Sequence, residues 1–91
     1  MDIINYLGDI LAENINVSQP IARGLVKLAI KDELGPFTSF AHLNYKNLNI
    51  IIKNSLKERL IKLEIASIDN LINLLLSELN KNQSLITMGS I

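Results

Sequence analysis

The 91-residue chain holds a single histidine, no cysteine and nine Asp or Glu side chains, so any catalytic or metal chemistry has to be built from these. His42 stands alone between Ala41 and Leu43. General acid–base work by histidine needs an orienting partner, and a zinc-type site needs further His or Cys ligands. No second His or Cys is present, and a lone His is more often a surface or packing residue than a catalyst. An all-oxygen cation site needs carboxylates that converge on one point. Asp32 and Glu33 are neighbours in sequence, which on a helix turns their side chains about 100° apart. Gly8, Gly24, Gly35 and Gly89 are too scattered for a phosphate-binding loop, and no nucleophile elbow or metalloprotease helix pattern occurs. The expectation is a chain without catalytic, cofactor-binding or metal-binding residues, one that works by binding rather than by catalysis, with no small-molecule substrate in evidence.

Other charges do form patterns. Arg23, Lys27 and Lys31 follow one another at four-residue steps, which places three positive charges on one ridge of a helix, where they repel unless something offsets them. Asp2, Asp9 and Glu13 fall together on one side of the first helical stretch, which contains no basic residue. The two ridges suit each other, within one chain or across a symmetric dimer. Exposed pairs of this kind contribute about 0–1 kcal/mol each and set orientation more than stability. The same basic ridge, joined by Lys53 and Lys57, supports an alternative reading as a nucleic-acid-binding regulator, in which Asn47, Asn49 and Asn54 offer groups for base edges. Nine basic against nine acidic residues leave a net charge of zero, so no global field draws nucleic acid in. A third option is a subunit or inhibitor that acts inside a larger complex.

These residues are positioned by a chain that is 48% hydrophobic and only 4% aromatic, enough apolar content for one aliphatic core and one domain over residues 1–91. The periodicity is helical. The first helix spans Asp2 to Ile15 with Ile4, Leu7, Leu11 and Ile15 inward, and Asn14 to Val17 reads as a break. Ser18 caps the second helix and Pro20 sits in its first turn. Ile21, Leu25, Leu28 and Ala29 form its apolar face, widened by Ala22, Val26 and Ile30, and Gly35–Pro36 stops it. The loop to Asn44 carries Phe37 and Phe40, expected to plug the core, and Thr38 or Ser39 caps a short turn there.

The third helix, Tyr45 to Ile65, is expected to be the longest and central. Leu48, Ile52, Leu56, Leu60 and Leu63 make one stripe, while Ile50, Ile51, Ile61 and Ile65 lie elsewhere on the wheel. A helix apolar on two sides needs cover on two sides. Ile50, Ile51, Ile61 and Ile65, with Leu74 from the next helix, are therefore the candidate apolar interface. Ser67 is the expected cap of the fourth helix, Ile68 to Lys81, whose inward residues are Ile68, Leu71, Ile72, Leu75 and Leu79. Residues 82–91, with Leu85, Ile86, Met88 and Ile91, form a fraying or docking tail. Gly8 and Gly24 each sit inside a helix at a cost near 1 kcal/mol, which close helix–helix approach would explain. The sum is an all-α bundle or orthogonal array of four main helices, expected to self-associate or to bind another protein. No basic secretory start and no run of about 18 apolar residues is present, which predicts a cytoplasmic chain that does not span a membrane.

Overall fold

Asp2, expected as the first residue of the first helix, instead caps it from outside. Its carboxylate accepts the Asn5 backbone N–H at 2.8 Å, satisfying one of the donors that a helix start leaves unpaired. The computed structural model describes residues 2–83. Over them α1 runs Ile3–Ile15, α2 Gln19–Leu34, α3 Tyr45–Ile51, α4 Lys57–Lys62 and α5 Ile68–Lys81. A π-helical segment, Ile52–Leu56, joins α3 to α4, and a 3-10 turn, Phe40–His42, precedes α3. The four expected helices are all present, the third being α3, the π segment and α4 in one unbroken run, and no strand occurs among the described residues. The tail residues Leu85, Ile86, Met88 and Ile91 lie outside the described residues.

Each boundary has a local cause. Asn16 adopts the left-handed conformation with φ 58° after α1, a conformation that Asn tolerates better than most residues. The Ser18 hydroxyl accepts from the Ile21 N–H at the start of α2, with proline in the first turn. Gly35, at φ 104°, ends α2 and hands the chain to a β-turn in which the Thr38 N–H donates to the Gly35 carbonyl at 3.3 Å. Asn44 and Asn47 form a reciprocal capping box at the start of α3, a signal hidden in the sequence because the second member is Asn rather than Glu or Gln. The third helix stops at Lys62, short of Ile65. Glu64 turns left-handed at φ 58°, and the Glu64 and Ile65 N–H groups donate back to the Ile61 and Leu60 carbonyls. This is a Schellman closure with glutamate where glycine is usual.

The third helix is central as well as longest. It packs on both α2 and α5, and it supplies Leu48, Ile51, Ile52, Leu56 and Leu60 to the most deeply buried side chains. The π segment follows from their spacing. Each four-residue step from Leu48 to Ile52, Leu56 and Leu60 overshoots a full α-helical turn by roughly 40°. One widened turn takes up an additional residue and cancels much of that drift. The rest of the core comes from Ile3, Ile4, Leu7, Leu11 and Ala12 of α1, Ala22, Val26, Ala29 and Ile30 of α2, Leu43, and Leu71, Ile72, Leu75 and Leu79 of α5.

Several expectations require correction. The inward face of α2 is set by Ala22, Val26, Ala29 and Ile30, while Ile21 and Leu28 are exposed and Leu25 is half-buried. Small side chains let α1 and the third helix approach closely, so they rather than the largest aliphatics define the buried side. Phe37 does not plug the core; it is 98% exposed. Pro36 and Phe37 occupy the two central positions of the β-turn after Gly35, and the second of these lies at the outer apex. Phe40 is half-buried against the core, as expected. Leu63 is exposed, since the helix closes beside it. Ser67 precedes α5 at φ 55° and its side chain makes no capping bond, because the left-handed backbone needed to turn the chain replaces the extended cap conformation.

Candidate interaction surface

The two charged ridges meet within the chain at one point. Gly8 of α1 lies against α2 so closely that a Cβ there would stand 2.6 Å from Arg23 Cγ and 2.8 Å from Arg23 Cα. The next residue, Asp9, receives both arms of the Arg23 guanidinium, Nε to Oδ1 at 2.8 Å and Nη2 to Oδ2 at 3.0 Å. The bidentate pair holds the Asp9 carboxyl below the usual carboxylate range and raises Arg23, with the charge of Asp2 adding to the latter. Asp2 is otherwise the N-cap of α1. Glu13, Lys27 and Lys31 are exposed and make no ion pair or side-chain hydrogen bond among the described residues. The expected six-residue ridge contact is thus one clamp, with the lysines of α2 left facing solvent.

The apolar candidates divide differently. Ile51 is fully buried and Ile65 packs partly against the core, whereas Ile50, Ile61 and Leu74 are exposed. Ile50 and Ile61 stand about 16 Å apart along the third helix at 1.5 Å per residue, with exposed Lys53, Asn54 and Glu58 between them. Leu74 lies on α5 among exposed Asn70, Asn73 and Ser77. Ile50 and Ile61 are thus separate exposures on the third helix.

A more continuous apolar stretch lies on the outer side of α2. Ile21 and Leu28 are 58% and 45% exposed, and Leu25, one turn from each, is half-buried. Leu25 lines a groove of about 440 Å³ between α2 and α4, together with Asp32, Ser55, Glu58, Arg59, Lys62 and Leu63. Leu63, 52% exposed, is the apolar wall opposite. Two polar links join α2 to the third helix beside the groove. Arg59 donates to Asp32 through Nε and through Nη2 at 3.0 Å, and Ser55 Oγ donates to Glu33 Oε1 at 2.9 Å. Arg59 lowers the Asp32 carboxyl below its ordinary range, with Lys62 adding a smaller contribution.

These links join residues 22 and 27 positions apart, so no local spacing announces them. The same holds for the Tyr6 hydroxyl, which donates to Glu78 at 3.0 Å and ties α1 to α5. His42 is exposed on the 3-10 turn. Among the described residues, no three His, Asp or Glu side chains gather as a metal site would require, and no helix is long and apolar enough to cross a membrane. Compared with family models, curated proteins and solved structures, the chain finds no match in any of the three.

Proposed function

We propose that this chain is a non-enzymatic interaction module that self-associates through an aliphatic helical surface. The observation that carries the reading is the run of exposed aliphatics on the outer side of α2, Ile21 and Leu28, continued by Leu25 and Leu63 along the adjoining groove. Single exposed aliphatics are ordinary, but neighbouring ones form a patch whose removal from water is favourable. A net charge of zero adds no repulsion between copies.

The nucleic-acid alternative draws less support, since Arg23 is committed to Asp9 and the basic ridge reduces to Lys27 and Lys31. Cytoplasmic residence remains part of the proposal and rests on the sequence. The test is solution mass by light scattering from roughly micromolar to millimolar chain, at low and high salt. The proposal expects a species larger than one chain that persists in high salt, because apolar burial is not screened. A mass that falls to one chain when salt is raised would point to charge pairing instead, and a single chain in both conditions would overturn the proposal.

A further inference from the structure

We infer that two copies of this chain exchange α5: the turn at residues 63–67 opens, the third helix and α5 run on as one helix, and each α5 docks on the core of the other copy. The exchange stands apart from contact through the outer side of α2 and does not depend on it. The hinge is strained. Glu64 and Ser67 both take left-handed backbone, at φ 58° and 55°, which disfavours residues with a Cβ. Ser67 does not compensate as a cap, since its side chain makes no bond to the first turn of α5.

The residues across the hinge suit a helix. No glycine or proline occurs from Tyr45 to Lys81, and Leu63, Glu64 and Ala66 are good helix formers. With the turn straightened, Leu56, Leu60, Leu63, Ser67, Leu71 and Leu75 follow one another at steps of three and four residues. The inward stripe of α4 then passes into that of α5 without a break. Leu63, 52% exposed in the closed chain because the helix stops beside it, becomes a member of that stripe. Straightening also offers the carbonyls of residues 64–66 to the first N–H groups of α5, which a helix start leaves without intrahelical partners.

Exchange keeps the core contacts. In the closed chain α5 folds back on the third helix and on α1 and buries Leu71, Ile72, Leu75 and Leu79. In the exchanged dimer each α5 takes the same place on the other copy, so this burial and the Tyr6 bond to Glu78 form again between chains. Only the hinge differs, and a short hinge under strain favours exchange. At low concentration closure within one chain wins, because the short link holds α5 at a high effective concentration. Passing between the two forms requires α5 to leave the core, so the dimer outlasts dilution, unlike a contact between folded surfaces.

The test uses Tyr6 and Glu78, which meet within one chain when it is closed and between two chains when α5 is exchanged. Isotope-labelled Tyr6→Cys chain and unlabelled Glu78→Cys chain are unfolded together and refolded at roughly millimolar concentration. Monomer and dimer fractions are separated by size and treated with a short bis-maleimide. The chain has no native cysteine, so only the introduced thiols react. Exchange expects labelled-to-unlabelled links in the dimer fraction and none in the monomer fraction. A dimer fraction without such links would overturn exchange and leave contact through α2 standing. Single-chain mass after concentrated refolding would also overturn exchange, and the mass of wild-type chain concentrated without unfolding then decides contact through α2 separately. As an independent reading, the double variant Glu64→Gly, Ser67→Gly accepts the left-handed hinge and weakens the straight helix. Its fraction of slowly dissociating dimer is expected to fall about tenfold or more, and an unchanged or larger fraction would contradict exchange.

Discussion

Gly8, Asp9 and Arg23 show how one contact fixes two helices. The absent side chain at Gly8 lets the α2 backbone close on α1, and the carboxylate beside it meets the guanidinium of the residue it touches. Gly8→Ala is therefore expected to destabilise the fold by about 1–3 kcal/mol despite the better helix propensity of alanine, because the new methyl overlaps backbone that has nowhere to go. Urea denaturation measures it, and an unchanged midpoint would mean that the helices part easily.

The aspartates add a pH dependence. Asp9 and Asp32 have folded-state pKa values below their unfolded ones. Their contribution is present above the unfolded value of about 3.9 and is lost as pH falls through the folded values. Stability is expected to be flat near neutrality and to fall below about pH 4, with a shallower fall in Asp9→Asn. Equal slopes for the two proteins in acid denaturation would contradict this. The opposition of the ridges was readable in the sequence from three acids and three bases at helical spacing. That Arg23 alone would be used was not, since only the position of Gly8 opposite Arg23 brings that one residue into reach.

Helix existence followed from periodicity, and helix ends followed wherever a single residue type forces them. Gly35 and Ser18 are of this kind. The end of α4 is not, because glutamate gives no sign of a left-handed turn. Glu64→Gly is expected to stabilise the protein by about 0.5–1 kcal/mol, relieving the steric cost of φ 58° at a residue with a Cβ. A loss of stability in chemical denaturation would mean that the glutamate side chain contributes more than its backbone costs.

The buried face of α2 is narrower than its apolar face for a related reason. Size-weighted reading favours Ile21 and Leu28, but Ala22 and Ala29 permit closer packing and win the core. The two apolar sides of the third helix likewise suggest one core and one surplus. The π segment instead keeps Leu48, Ile52, Leu56 and Leu60 in register, with Ile51 joining them, so the surplus shrinks to Ile50 and Ile61.

For the molecule as a whole, an aliphatic core from all four helices is closed by the Tyr6–Glu78, Ser55–Glu33 and Arg59–Asp32 links between distant parts of the chain. Besides Phe37, Ile50, Ile61 and Leu74, the core leaves outside an apolar stretch on α2 beside a groove, bordered by Lys27 and Lys31, which make no ion pair among the described residues. On that stretch and the absence of net charge rests the proposal that the chain self-associates. Self-association is most directly tested by sedimentation equilibrium on the wild-type chain, from roughly micromolar to millimolar concentration, the range that matches a small interface. The expected result is a reversible rise from the mass of one chain toward twice that mass, little changed by salt. A single-chain mass across the whole range would contradict it.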